Sequence, residues 1–293
     1  MVNPKAGRGK TLNVWRKIEP ILQAAGQSYQ VYFTRFKGDG TNIAERVRSN
    51  GAELVVGVGG DGTLLEVVNG LDFKKNIFGI IPAGTGNGFR RSVNIPGNCY
   101  QAFLGLSRWT PQRIDLGRIN GIYFLNVTGF GYDAAVSKQA TVDNKVLSGY
   151  PAFVSAAFAK LATFGSFPAT VNHDDHTIEE EKTFLTAISN GRYYGGQLCI
   201  APQARLNDGK LNLLLVRKMD PVTTTALGLK AFFKKHLGHK GLYSATCEEI
   251  TVYADESVPV HIDGEILGSL PAKITVAPGA LQIMAPALDN NPE

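Results

Sequence analysis

Sulfur chemistry is almost excluded from this chain. Its three cysteines, Cys99, Cys199 and Cys247, are odd in number, far apart and in no ligand spacing, so they form neither a disulfide framework nor a zinc site and read as reduced structural thiols. Long apolar runs are missing too: the nearest, Tyr150 to Phe167, is interrupted by Lys160, short of the roughly 18 uncharged residues of a membrane-spanning helix. No signal-peptide pattern follows Met1, and a cytoplasmic protein is expected. There is no run of Arg and Lys interleaved with aromatics, which argues against nucleic acid as a partner. Nor is there a Gly-x-Ser-x-Gly elbow, and the histidines are too scattered for a Ser/His/Asp triad. His173-Asp174-Asp175-His176 has the composition of a metal cluster, but it sits between two strand patterns and reads as a polar hairpin turn.

What is present is ordinary globular material, 44% hydrophobic and 19% charged, and a length of 293 residues favours two domains. A net charge of +5 suits an anionic partner, either a nucleotide or an acidic membrane surface.

The stretch from Glu53 to Gly70 organises the rest. Leu54 to Val58 is a β-branched apolar run, too short for a helix and bounded by glycines, which predicts a buried parallel strand. The turn Gly59-Gly60-Asp61-Gly62-Thr63 follows, and Leu64, Leu65, Val67, Val68 and Leu71 then recur at helical spacing. A strand breaking through glycines into a helix presents free backbone N–H groups at the carboxyl end of a sheet, which makes an anion site. Glycine reaches positive φ without a Cβ clash and lets a phosphate approach the backbone. Asp61 would repel that phosphate unless a cation sits between them, which implies a divalent metal. Taken alone, the same segment also reads as a Gly-rich turn with Asp61 as a helix cap.

Upstream, Met1 and Val2 read as the end of a strand, followed by a basic glycine loop through Lys10. Leu12, Trp15, Ile18, Leu22 and Ala25 predict a helix ending at Gly26 and kinked at Pro20. Ser28 to Thr34 alternates like a strand, and Gly40 to Asn50 reads as a helix. Downstream, Ile77 to Pro82 repeats the buried-strand pattern and leads into a second loop, Ala83-Gly84-Thr85-Gly86-Asn87-Gly88-Phe89-Arg90-Arg91. Two such strands separated by a helix make a βαβ unit whose loops share one edge, where ligands bind in sheets of this kind. Read alone, the second loop is a turn with an Asn cap.

After Pro96 the texture changes. Residues 99 to 107 predict a short helix, and Asn120-Gly121 between Arg113–Arg118 and Ile122–Val127 is a hairpin signal. Strand patterns then run over Ala169–Val171, Thr183–Ser189, Lys210–Arg217, Ile250–Ala254, Val258–Ile262, Lys273–Val276 and Ala280–Met284, predicting an antiparallel sandwich or barrel that begins near residue 112. Two helices interrupt it, at about 150 to 164 and at 220 to 237, the second with Asp220 as N-cap and Pro221 at its first position. Its Lys230, Lys234 and Lys235 lie beside Leu229, Phe232 and Phe233, a pattern that suits an acidic membrane surface or a surface helix packed on the sheet. Val260 to Glu265 sends a strand into an acidic turn whose carboxylate could accept a proton from a hydroxyl. Leu206 to Lys210 is a turn that could bind a divalent ion through Asp208.

Taken together these segments resemble the diacylglycerol kinase catalytic-domain family of lipid kinases, which also holds the sphingosine and ceramide kinases. The match runs in order from Asn3-Pro4-Lys5-Ala6-Gly7 through Gly59–Thr63 and Pro82–Asn87 to Gly195-Gly196, Ala201-Pro202, Asp208-Gly209 and Asp263-Gly264-Glu265, over nearly the whole chain. The resemblance implies an N-terminal three-layer α/β domain, residues 1–112, that binds ATP, and a C-terminal antiparallel β-sandwich, residues 113–293, that takes the lipid, with the active site in the cleft between them. It leaves the last residues free to return to the first domain and allows a homodimer. By it, Asn3, Arg8, Gly59, Gly60, Asp61, Gly62, Thr63, Gly84, Thr85 and Asn87 surround the nucleotide phosphates. Mg2+ belongs with Asp61, Asp115 and Asp208. Glu265 matches the base assigned in bacterial diacylglycerol kinases, whereas in sphingosine kinases the acid corresponding to Asp61 has that role. Gly88 stands where many bacterial members carry Asp, closer to the small residue of the sphingosine kinases. If a cation engages Asp61, Glu265 is the better proton acceptor.

The expected activity is an ATP- and Mg2+-dependent lipid kinase acting on a diacylglycerol- or sphingosine-like hydroxyl, cytoplasmic and transiently peripheral at an acidic membrane. A NAD kinase-like enzyme, which shares the Gly-Gly-Asp-Gly turn, and a non-catalytic nucleotide- or lipid-binding module are the alternatives.

Overall fold

The computed structural model describes residues 1–142, 150–194, 197–268 and 270–288. The chain forms two compact units, one of Met1–Ile114 with Gly279–Asn291 and one centred on Asp115–Pro278.

In the first unit a short 3-10 turn at Ala6–Gly9 precedes helices α1 (Lys10–Ala24) and α2 (Asp39–Ser49), strand β1 (Leu54–Gly59), helix α3 (Asp61–Val68), strand β2 (Ile77–Pro82) and helices α4 (Gly88–Ser92) and α5 (Cys99–Gly105). Strands β1 and β2 pair in parallel from Leu54↔Ile77 to Gly59↔Pro82. Their glycine loops therefore leave the sheet side by side, as the βαβ pattern predicts. Alternation along β1 sorts the layers. Val56 and Val58 join Val2, Trp15, Ile18 and Ile81 in a cluster to which Phe103 and Leu106 of the α5 region contribute. Gly57 points the other way, against Leu64 of α3 and Phe78. Glu66 of α3 accepts from the N–H groups of Gly38 and Gly40 at 2.8 and 3.0 Å, satisfying the start of α2. The first helix runs through Pro20 without a break in its assignment.

Ser28 to Thr34, expected as a strand, is not one: Phe33 makes a single parallel bridge to Val2. The contact is confined to Val2, which donates to the Tyr32 carbonyl at 2.8 Å and accepts from the Thr34 N–H at 3.0 Å.

The second unit is built from β3 (Thr110–Ile119), β4 (Ile122–Phe124), β5 (Val127–Gly131), α6 (Tyr132–Val142), α7 (Tyr150–Thr163), β6 (Phe167–His173), β7 (His176–Ser189), β8 (Tyr193–Tyr194), β9 (Leu198–Cys199), β10 (Leu211–Arg217), α8 (Pro221–Phe232), β11 (Leu242–Cys247), β12 (Glu249–Tyr253), β13 (Val260–Ile262), β14 (Glu265–Ile266) and β15 (Ala272–Ala285). Strands β3 and β15 begin or end in the first unit. Asn120-Gly121 turns β3 into β4, both residues at positive φ. Strand β7 serves two neighbourhoods. Its first half pairs with β6 across a hairpin closed at His173↔His176, and its second half lies between β5 and β10. The turn reading of 173–176 thus holds, and no cluster of three or more potential metal-binding side chains occurs among the described residues.

Local patterns missed several features, strand β11 and helix α4 among them. The two strand patterns at 273–276 and 280–284 belong to one strand, β15, which passes through Gly279 at φ +55°. Helix α6 and strand β5 escaped because β5 carries Gly129 and Gly131 and α6 has a weak apolar period. Asp220 caps α8 by accepting from the Thr223 N–H at 2.9 Å.

Phe78 is fully buried between β1 and α3. Phe78→Ala is expected to cost about 3 to 5 kcal/mol in urea denaturation, the usual loss for a core phenylalanine, whereas Val222→Ala, 80% exposed on α8, is expected to stay within about 0.5 kcal/mol.

Candidate active site

In the first unit three loops meet. Gly84 donates to the Gly59 carbonyl at 3.1 Å, and Ala83 does so at 2.8 Å. Gly60 and Gly84 touch backbone to backbone, so that a Cβ on Gly84 would run into the Gly60 Cα. A side chain on Gly84 would therefore wedge the loops apart. The amino-terminal loop joins them at Gly7, whose φ is +57° and whose absent Cβ leaves room for the Ala83 carbonyl. Asn3 then reaches Thr63, its Nδ2 donating to Oγ1 at 2.9 Å.

Asp61 closes this cluster. Its Oδ2 accepts from the Gly88 N–H at 2.9 Å and its Oδ1 from the Phe89 N–H at 3.1 Å, so the acid of the first loop caps α4, the helix that follows the second. Asp61 is not the cap of its own helix, as the turn reading had it: the N-cap of α3 is Gly60, with no side-chain cap, and the Asp61 carboxylate serves the helix of the neighbouring loop instead. Burial raises the Asp61 pKa, against the two amides and the Arg90 charge, which lower it. Asn87, at φ +49°, forms a closed ring with Gly84, accepting from its N–H at 2.9 Å and donating to its carbonyl at 2.8 Å. Gly88 therefore supplies a backbone donor to Asp61. Thr85 is exposed at the loop tip, and Arg8 is exposed at φ +59°. The N–H groups in the first turn of α3 have no intrahelical acceptor, as expected for an anion-binding helix start.

Arg90 was not singled out from the sequence. It donates to the Ile95 carbonyl at 3.2 Å, and its charge acts on Asp61. Its position at the end of the second glycine loop was the available signal.

The second unit carries the other candidates. Asp115 is buried on β3 and accepts from the Gly209 N–H at 2.7 Å. Asp208 precedes that glycine, and burial, then the Asp115 charge, raise its pKa. Asp115 thus accepts from the glycine next to Asp208, and two carboxylates set at one turn in this way fit a cation, which would relieve their repulsion. The structure thus brings Asp115 and Asp208 together, and Asp61 belongs to the first unit. The Gly195-Gly196 pair of the resemblance lies outside the described residues.

Glu265 is partly exposed on β14, paired with Ile262 of β13. The turn that presents it is anchored by Asp263, which accepts from the N–H groups of Leu125, Asn126 and Val127 at 2.7, 2.8 and 2.9 Å. The sequence marks Asp263 as part of a hairpin, but not this three-amide clamp, which depends on chain 136 to 138 residues away.

An apolar cavity of about 250 Å³ lies in the same unit, lined by Tyr132, Leu161, Phe184, Leu214, Leu227 and others. Among its described lining residues Asp133 alone carries a formal charge. Tyr132 stacks on Phe184 at 4.4 Å, and burial pushes its hydroxyl pKa up to about 12. At the mouth Phe158, Leu229 and Phe232 line the cavity and are also solvent-exposed. Lys230, Lys234 and Lys235 are exposed beside them. No sequence pattern announced the cavity, because it is walled by residues scattered from 127 to 242.

Comparison with known proteins matches residues 1–119 to the diacylglycerol kinase catalytic domain and residues 126–285 to the YegS C-terminal NAD kinase beta sandwich-like domain. A diacylglycerol kinase of Staphylococcus epidermidis is 28% identical, covering 97% of this chain and 90% of that protein. One of Bacillus subtilis is 27% identical, covering 92% and 90%. A crystal structure of a diacylglycerol kinase from Bacillus anthracis superposes with a TM-score of 0.74 at 26% identity, covering 98% of this chain and 96% of that one.

The Asp61 environment has a pH signature. A carboxyl whose pKa is raised by folding holds its proton more tightly in the native state, so its contribution to stability falls as pH rises above the ordinary value of 3.8. In urea denaturation across the acid range, wild type is expected to lose stability relative to Asp61→Asn as pH rises through that window. A constant or opposite difference would contradict the burial argument.

Proposed function

Because the chain belongs to the diacylglycerol kinase catalytic-domain family, with its α/β domain and its β-sandwich, we propose that it transfers the γ-phosphoryl group of ATP to the hydroxyl of a lipid alcohol. The observation that carries this reading is the apolar cavity of about 250 Å³ with its exposed phenylalanine mouth, since a kinase of a hydrophilic acceptor has no use for such a space. The names of the diacylglycerol kinases of similar sequence support the same substrate class.

The first unit holds the nucleotide. Backbone N–H groups of Gly59–Thr63, with Gly84, Asn87 and Thr85 of the second loop and Asn3 and Arg8 of the amino-terminal loop, surround its phosphates. The close Gly60–Gly84 approach holds these donors at fixed positions before substrate arrives, and fixed donors stabilise developing charge without reorganising. Asp61 in the first unit and the Asp115–Asp208 pair in the second are the residues that would hold magnesium, which would supply neutralisation of phosphate and carboxylate charge.

In the second unit the acyl or alkyl chain enters the cavity, and its hydroxyl oxygen attacks the γ-phosphorus. The bond from that phosphorus to the ADP oxygen breaks, and the hydroxyl proton passes to Glu265. Asp61 is the weaker candidate for the proton, because both of its oxygens already accept from backbone amides. Transient attachment to an acidic membrane surface follows from Lys230, Lys234 and Lys235 beside Leu229, Phe232 and the 73% exposed Phe233.

Labelled ATP presented with a panel of lipid alcohols and with NAD tests the assignment. Label in a lipid is expected; transfer to NAD and to no lipid would reverse it, and binding of ATP without transfer would leave a non-catalytic module. Glu265→Gln is expected to lower turnover by about a hundred- to ten-thousandfold with nucleotide affinity within about twofold. In co-sedimentation with anionic vesicles at low salt, the Lys230/Lys234/Lys235→Ala variant is expected to bind more weakly than wild type, and equal binding contradicts the membrane contact.

A further inference from the structure

Asp133 has two faces. It lines the apolar cavity, and its Oδ2 lies 3.0 Å from Nε2 of His261, a fully buried residue of β13. The other ring nitrogen, Nδ1, receives the Gly264 N–H at 3.2 Å. A backbone N–H can only donate, so Nδ1 is the acceptor, and the ring proton sits on Nε2 and is donated to Asp133. Gly264 immediately precedes Glu265. A continuous chain of hydrogen bonds thus runs from the cavity wall, through one carboxylate and one imidazole, to the peptide that presents Glu265.

The surroundings are shaped for this pair. His261 lies opposite Gly129 of β5, and a Cβ at Gly129 would run into both Asp133 Oδ2 and His261 Nε2. Gly129 does not have positive φ, so packing rather than backbone conformation calls for glycine there. Tyr194 packs on the imidazole at 5.2 Å and lines the cavity as well. Asp263 anchors its own side of the turn on three amides, which leaves the peptide of Gly264 to His261.

We infer that Asp133 and His261 are positioning residues that couple filling of the cavity to placement of Glu265. A lipid chain displaces water beside Asp133, the local dielectric falls, and the Asp133–His261 hydrogen bond strengthens. The imidazole is then held more firmly, and with it the Gly264 N–H and the adjoining Glu265. The turn is ordered when an acceptor is present, which limits idle reaction of the nucleotide with water. The role given to Glu265 rests on the lipid kinase reading; the coupling between cavity and turn does not.

Amide hydrogen exchange at Gly264, followed by NMR with and without dodecanol as a cavity probe, tests the coupling without turnover. Dodecanol is expected to slow this exchange about tenfold in wild type and to leave it unchanged in His261→Phe and Gly129→Ala. His261→Gln, which keeps a donor and an acceptor on one planar group, is expected to retain part of the response. On a lipid substrate, His261→Phe and Gly129→Ala are expected to lower kcat about ten- to a hundredfold with KM within about twofold. Should His261→Phe fail to fold, Gly129→Ala and His261→Gln carry the comparison. An equal Gly264 response in wild type and variants, or a raised KM with kcat unchanged, overturns the inference. A wild type that phosphorylates no lipid yet shows the Gly264 response would sink the lipid kinase reading and leave the coupling standing.

Discussion

The contact on which the first unit depends is the approach of two backbones, Gly60 against Gly84, with no side chain between them. Parallel pairing of β1 and β2 in register brings the loops out together, and the absence of a Cβ lets them close. Asp61 then bridges from one loop to the amides that follow the other. Each of these steps fails if the previous one is disturbed. The result is a group of backbone donors fixed in place before any ligand arrives, which is what binding of a highly charged phosphate chain requires.

In the second unit the governing tension is between apolar space and polar anchors. An apolar cavity lies in a unit that also buries several polar groups, and buried polar groups are tolerable only when partnered. The partners are found largely in backbone: Asp263 takes three amides, Asn190 donates to the carbonyls of Asp115 and Leu125 at 3.0 and 2.9 Å, and Asp115 takes the Gly209 amide. Strand β7 makes the arrangement possible by pairing with β6 along one half and with β5 and β10 along the other. Through β5 it supports the strand that carries Gly129, and α6, which follows β5, presents Asp133 to the cavity.

The two units express different strategies for placing polar groups. The first relies on main-chain groups, which cannot be lost by changing a side chain so long as the glycines remain. The second relies on a few carboxylates set near an apolar cavity. Gly88 illustrates the first strategy, since its backbone N–H serves Asp61 without any side chain of its own.

The sequence by itself determined the elements whose signals are local. Strands β1 and β2 are short β-branched runs closed by glycine, α8 opens with a capping aspartate and a proline, and Asn120-Gly121 can hardly be anything but a tight turn. The α/β-then-β order of the fold and the family followed from those signals and from ordered motifs. Only the tertiary structure decided that Asp61 caps α4, that Ser28 to Thr34 makes a single bridge rather than a strand, that residues 272–285 form one strand, and that Asp133 meets His261 across 128 residues of chain. The reason is physical. Periodicity and turn chemistry report which side of an element is buried and where it ends, whereas the partner of a buried polar group, and the space left between packed elements, are set by segments distant in the chain.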